Sequence, residues 1–191
     1  MGCISRLDIA ALIKQYDLQY FVETGVGQAI SLVHMVNFFP MRAYYSCDYD
    51  EVIVRAAQWS LQKAPDVHIV HARSKEFLET LLSWLPQQPI LFWLDAHFAA
   101  WANSDDRRLY LPLADELSVI RRLRPEGRDV IVMDDAAIYV DGPFQIPLDP
   151  GMRPTCPEER DIDFVHETLD GTHHIKVLYS DGGYVLATPR N

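Results

Sequence analysis

Apolar positions along this chain change their spacing repeatedly. Short continuous apolar runs, the mark of strands covered on both faces, alternate with stretches in which apolar residues recur three and four positions apart, the mark of helices. A leading helix is predicted over residues 5–15, followed by a buried strand at Tyr20, Phe21 and Val22 that ends at Glu23, with Gly25 and Gly27 directly after it. Residues 29–38 are apolar nearly all round, as expected of a helix lying on a sheet, and Pro40 closes the segment. A second strand is predicted over 43–47, then a helix with Asp50 and Glu51 in its first turn and Val52, Ala56 and Trp59 facing inward, then a third strand over 67–71. Ser74 is placed to cap a helix whose Phe77, Leu78, Leu81, Leu82 and Leu85 keep helical spacing up to Pro86. The run at 90–94, bounded by Pro89 and Asp95, predicts a central parallel strand. Pro112 opens a helix with Leu113, Leu117 and Ile120 inward, and Arg121, Arg122 and Arg124 suit its carboxyl end. The fifth strand, 130–133, ends in Asp134 and Asp135. Residues 136–157 carry five prolines and no periodicity, which predicts a long loop over one face. A short helix over 158–169 and two strands, 175–179 and 184–188, finish the pattern; Asp181, Gly182 and Gly183 between the strands predict an antiparallel hairpin.

This alternation predicts an α/β domain, and 191 residues with 49% apolar composition predict a single domain over 1–191. The formal charge is −10, and the acid is uneven: residues 1–94 hold 7 basic and 9 acidic side chains, residues 95–191 hold 10 and 18. Such a field repels a nucleic-acid backbone, and the one dense basic stripe, Arg121, Arg122 and Arg124, already has a reason to sit at a helix end. No nucleic-acid partner is expected. Three widely spaced cysteines, Cys3, Cys47 and Cys156, signal neither a disulfide framework nor a zinc site, which points to a reducing cytoplasm. The amino end lacks a secretory pattern, and no apolar run is long enough to span a membrane, so no membrane partner is expected. Met1-Gly2-Cys3 hints at lipidation, but Arg6 stands where the myristoylation pattern wants Ser or Thr.

Open α/β sheets bind ligands beyond the carboxyl ends of their strands, so the residues just after each strand are the diagnostic ones. After the first strand stands Glu23-Thr24-Gly25-Val26-Gly27-Gln28-Ala29, glycines that allow a tight turn and a close approach to ligand. After the second comes Asp48 followed by Tyr49, an acid placed to accept hydrogen bonds from ribose hydroxyls; Arg73 and Ser74 follow the third, Asp95 the fourth, and Asp134 and Asp135 the fifth. Ala29-Ile30 stands where a dinucleotide-binding helix would carry its third glycine, which disfavours a nicotinamide-dependent oxidoreductase. The chain resembles the class I S-adenosylmethionine-dependent methyltransferases from Glu23 through the terminal hairpin. E-T-G-V-G-Q-A looks like their first motif, Asp48 in S-C-D-Y-D like their ribose acid, and A-R-S-K like the segment along the adenine. The resemblance implies a Rossmann-like fold: a seven-stranded, mostly parallel sheet of order 3-2-1-4-5-7-6, helices on both faces, and strand 7 antiparallel. It implies a cofactor site at Glu23, Thr24, Gly25, Gly27, Asp48, Tyr49, Arg73, Ser74 and Asp95.

Within that family, L-F-W-L-D-A-H and V-I-V-M-D-D are similar to the metal-dependent O-methyltransferases of catechol and macrocin type. The resemblance implies that Asp95, Asp134 and Asp135 hold Mg²⁺, which would lower the pKa of a substrate hydroxyl. Taken alone, Asp134 and Asp135 read equally well as turn residues. Catechol-type enzymes carry a lysine three positions after the strand-4 aspartate; here that position is Phe98, and His97 is the nearby residue for the base, or else a packed histidine beside Asp95. The expected activity is methyl transfer from S-adenosylmethionine to a hydroxyl of a small molecule, with loops at 98–111 and 136–157 as lids and Trp101, Tyr110, Tyr139 and Phe144 either lining the acceptor pocket or packing in core and lids. A homo-oligomer is compatible with the sequence. A binding module of the same fold without the reaction is the first rival. A DNA amino-methyltransferase is opposed by Leu94-Asp95-Ala96-His97, which replaces the D/N-P-P-Y/F motif of those enzymes.

Overall fold

A computed structural model describes residues 3–97, 111–146 and 161–190. Its sheet has seven strands in the order β3-β2-β1-β4-β5-β7-β6, as the resemblance implies. Strands β1 (Tyr20–Thr24), β2 (Ala43–Asp48), β3 (Val67–His71), β4 (Ile90–Leu94) and β5 (Val130–Met133) run parallel, while β7 (Tyr184–Pro189) runs antiparallel to both β5 and β6 (His173–Leu178). The central strands β1, β4 and β5 are buried at every residue; β4 and β5 read as unbroken apolar runs, while β1 ends in the buried polar pair Glu23 and Thr24. Two apolar layers cover the sheet. One packs Ile4, Ile9, Leu32, Met35, Val54 and Ala57 on Phe21, Leu91, Trp93 and Val132; the other packs Phe77, Leu78, Leu81, Leu117, Ile120 and Val165 on Val22, Phe92 and Ile131. The first layer belongs to α1 (Ile9–Tyr16), α2 (Ile30–Phe38) and α3 (Glu51–Ser60), the second to α4 (Ser74–Trp84), α5 (Leu113–Leu123) and α6 (Asp163–Leu169). None of the described helices is long and apolar enough to cross a membrane.

Several helix expectations are corrected. The leading helix is two pieces, a 3₁₀ turn at Ile4–Arg6 and α1, because the Asp8 carboxylate accepts from the Ala11 N–H at 3.0 Å and so starts a new helix. On α3 the inward face is Ile53, Val54 and Ala57, whereas Val52 and Trp59 are about three-quarters exposed. Asp50 precedes that helix and caps it, accepting from Val52 N at 2.7 Å. An inward stripe counted from Val52 is therefore rotated by one residue. Ser74 is the first residue of α4 rather than its cap, and Arg73 precedes it in extended conformation. The last helix begins at Asp163; the earlier part of that expectation, and the lid segments at 98–110 and 147–157, lie outside the described residues. The described part of the second lid opens with a 3₁₀ turn at Ala136–Ile138.

The arginine stripe divides by burial. Arg121 and Arg122 stay at the surface, but Arg124 is buried, with Nε and Nη2 donating to both oxygens of Asp129 at 2.8 and 2.7 Å and with Nη1 and Nη2 donating to the carbonyls of Pro86 and Gln88. Asp129 also accepts from the Ile90 N–H at 2.9 Å. One bidentate ion pair thus fastens the end of α5 and the starts of β4 and β5. Removing one partner leaves the other buried and uncompensated, so Asp129→Ala is expected to cost about 3–5 kcal/mol. Urea unfolding followed by circular dichroism checks this: the midpoint should fall with the slope unchanged.

Candidate functional site at the carboxyl edge of the sheet

The strand ends are tied to one another by backbone hydrogen bonds. Gly25 N and Val26 N donate to Cys47 O, Asp95 N to Thr24 O, Asp134 N to Leu94 O, and Ala72 N to Asp48 O, all at 2.9–3.0 Å. Each residue that follows a strand is therefore held relative to its neighbour by main chain rather than by a flexible loop. Gly25 shows how tight this is: with φ at +80°, a Cβ there would lie 2.3 Å from the Asp95 carbonyl oxygen. The glycine therefore makes room for the end of β4. Gly27, with φ at +46°, has nothing within 4 Å of where its Cβ would be, and it is the position that leaves room for a bound group.

The cofactor residues expected from sequence gather around that loop. Asp48 is buried and accepts from Gly27 N at 3.0 Å and from Asp50 N at 2.9 Å, so it shapes the glycine turn with one lone pair on each oxygen and keeps others for a ligand. Glu23 is buried beneath the loop; burial pushes its carboxyl well above 4.5, against the pull of the Ser46 hydroxyl that donates to it at 2.7 Å. Thr24 is fully buried and its Oγ1 has no hydrogen-bond partner. Arg73 lies over the Tyr49 ring at 6.0 Å from its centre, and His71 Nε2 meets the Tyr49 carbonyl at 2.8 Å, so the ends of β2 and β3 form one wall.

His97 organises the other half of the site. Its Nε2 is 3.0 Å from Asp135 Oδ2 and 3.4 Å from Asp95 Oδ1, with the imidazole nearly buried. Burial alone would lower its pKa, but the Asp135 hydrogen bond and the charges of Asp95, Asp135 and Asp134 raise it to about 9. Asp135 responds in kind: burial would raise its carboxyl, and the His97 contact holds it below the ordinary carboxylate range. Asp95 is raised by burial despite His97, and Asp134 is raised by burial and by the charges of Asp95 and Asp135. Asp134 Oδ1 accepts from Asp135 N at 2.7 Å, while its buried Oδ2 has no partner.

As they stand, Asp95, Asp134 and Asp135 do not fit a divalent ion. The His97 imidazole is wedged between Asp95 and Asp135, and one Asp134 oxygen is committed to backbone. Among the described residues, no group of three or more His, Cys, Asp or Glu side chains is arranged to hold a metal.

Sequence reasoning missed Glu116. It lies on the inner face of α5, almost wholly buried, where burial raises its pKa to about 7 against the pull of the Ser74 and Thr24 hydroxyls that face it. The signal was present, since Glu116 falls inside the apolar stripe Leu113, Leu117 and Ile120, where an acid has no packing reason to be.

No protein-family model matches the chain, and no curated protein matches it. Solved structures do. An O-methyltransferase from Bacillus cereus in complex with S-adenosylhomocysteine superposes with a TM-score of 0.62 at 11% identity, over 94% of this chain and 77% of that one. A methyltransferase from Geobacter sulfurreducens gives 0.57 at 13%, over 95% and 75%, and a SAM-dependent methyltransferase from Aquifex aeolicus gives 0.54 at 14%, over 94% and 88%. With the strand order, this likeness defines the fold as the Rossmann-like class I methyltransferase fold.

Two outcomes follow from this geometry. Gly27→Ala should leave the chain folded at a cost of about 1 kcal/mol for the left-handed backbone, while Gly25→Ala should lower the thermal midpoint further, since its Cβ meets main chain. Thermal unfolding compares the two. Glu116 should make stability fall as pH rises: a carboxyl raised from 4.5 to about 7 favours the folded state fully below pH 4.5 and loses that contribution as pH climbs through 7, a change of roughly 3 kcal/mol. Denaturant titrations between pH 5 and 8 should show this slope in the native chain and a shallower one in Glu116→Gln.

Proposed function

We propose that this chain is an S-adenosylmethionine-dependent O-methyltransferase acting on a hydroxyl of a small molecule. The observation that carries the reading is His97, held by Asp95 and Asp135 at the ends of β4 and β5, beside the open turn at Gly27. The cofactor fits on the space over Gly27 and on the Asp48 carboxylate that holds that turn from below. When bound, S-adenosylmethionine supplies a methyl group on a cationic sulfur. Asp48 would accept hydrogen bonds from its ribose hydroxyls, Tyr49, Arg73 and Ser74 would hold its adenine, and Gly27 would let the main chain approach. The similar fold of a Bacillus cereus O-methyltransferase that binds S-adenosylhomocysteine supports this arrangement.

With Nε2–H facing Asp135 and Asp95, His97 would take the proton of the acceptor hydroxyl at Nδ1 as that oxygen accepts the methyl group and the thioether leaves, and the two carboxylates would hold the resulting imidazolium. Tyr139 packs on Phe164 and lines the small cavity beside His97, while Phe144 packs on Tyr179. No step in this reading passes through Mg²⁺. His97 acts as a base only in its neutral form, and its pKa near 9 keeps that form scarce at neutral pH. The sign is therefore fixed: kcat/KM should rise with pH up to about 9 and level off.

The test is methyl transfer to a panel of hydroxylated small molecules, with and without chelator, beside calorimetric binding of S-adenosylhomocysteine. Turnover in chelator, an alkaline limb that vanishes in His97→Gln, and binding weakened at least tenfold in Asp48→Ala are the expected results. Binding without turnover on any acceptor would favour the inactive module. Binding of nicotinamide dinucleotide with none of S-adenosylhomocysteine would overturn the reading altogether.

A further inference from the structure

Between α5 and the end of β5 lies a small cavity lined by Leu94, Leu113, Glu116, Asp134 and Tyr139, with His97 at its side. It has room for roughly one water-sized group. Glu116 and Asp134 reach it from different elements. Each is at least 98% buried, and each has one carboxylate oxygen, Glu116 Oε1 and Asp134 Oδ2, with no hydrogen-bond partner. A buried acceptor left unmatched costs free energy, and two of them lining one cavity call for a donor between them.

We propose that Glu116 and Asp134 form a paired-carboxylate subsite for a protonated aliphatic amino group. The choice among donors follows from counting. A hydroxyl has one hydrogen to give and leaves one oxygen unmatched; a water has two and can serve both oxygens but brings no charge; an ammonium has three and brings the positive charge that two buried acids lack. A guanidinium is a broad planar fork, too large for a space of this size. A divalent cation wants six or more oxygen ligands, and the cavity presents two unmatched ones. The Leu94 and Leu113 side chains suit the carbon next to the nitrogen, and the Tyr139 ring suits a cation.

Two ligands could carry such a group: the amino-acid end of the methyl donor, or an amine on the acceptor. In both cases the inference rests on the methyltransferase reading only for the identity of the ligand, and the subsite itself is readable without it. The experiment is calorimetric binding to the full chain, as wild type, Glu116→Gln and Asp134→Asn. The probes are S-adenosylhomocysteine, which carries the ammonium; 5′-methylthioadenosine, the same nucleoside thioether without it; and n-butylammonium, titrated with 5′-methylthioadenosine present. Both substitutions keep shape and the Asp135 backbone contact, and far-ultraviolet circular dichroism verifies the fold. The expected result is a loss of tenfold or more for an ammonium-bearing probe in both variants, with 5′-methylthioadenosine affinity unchanged within twofold. A loss confined to S-adenosylhomocysteine places the donor's amino group in the subsite; a loss with n-butylammonium places the acceptor's there. If neither nucleoside binds the wild type, the methyltransferase reading fails, and the n-butylammonium arm alone decides the subsite. The proposal is overturned if both ammonium probes bind the variants as they bind the wild type, if 5′-methylthioadenosine is lost in parallel, or if no ammonium probe binds the wild type.

Discussion

Burying carboxylates is the constraint on which this site depends. Glu23, Asp48, Asp95, Glu116, Asp134 and Asp135 converge at the carboxyl ends of the parallel strands, four of them buried and Asp95 and Asp135 half-buried. An isolated buried carboxylate is too costly to keep, so each must be matched or neutralised. The fold uses three means. Backbone N–H groups satisfy Asp48 and one oxygen of Asp134, the His97 imidazole spans Asp95 and Asp135, and the remaining acids hold their protons more tightly than usual. What these leave over, an unpartnered oxygen on Glu116 and one on Asp134, is the part of the site that a ligand completes.

Such a cluster needs a rigid frame, because acids that repel one another would otherwise drift apart into solvent. The frame is the set of main-chain hydrogen bonds that run from each strand end to the next, reinforced at the opposite edge of the sheet by the Arg124–Asp129 pair. The two devices lie at opposite ends of the same strands. Asp129 fixes where β4 and β5 begin, and the strands carry that position to Asp95 and Asp134, where the chemistry sits.

Element type was legible because the central strands are mostly apolar and turn residues stand between them, whereas the strand order came from the methyltransferase resemblance. The positions after each strand were legible for the same reason, since topology alone places them at one edge. Three things were not. The direction of the α3 face escaped because Val52 and Trp59 are apolar yet exposed, which periodicity cannot distinguish from core. The role of Gly25 escaped because the contact it avoids is with Asp95, distant in sequence. The metal reading came from three aspartates in the right places, but their side chains answer to His97, and a string of residue names does not show which of two counter-charges an acid has taken.

The place of β7 in the sheet has a bearing on how the chain is made. The open flank of β5 is covered by a strand that leaves the ribosome after the helix α6 and after β6, its own outer neighbour. Until then a nascent chain displays a fully apolar strand with unmet backbone donors and acceptors, the kind of edge that recruits another chain. The turn of the late hairpin also supplies the carbonyls of Gly182 and Gly183 to the Ala137 and Ala136 N–H groups just beyond Asp135. Synthesis therefore delays completion of the acidic edge until β7 has been made, so that a chain lacking β7 holds neither a closed sheet nor a finished site, and a chaperone would find its hydrophobic target at β5.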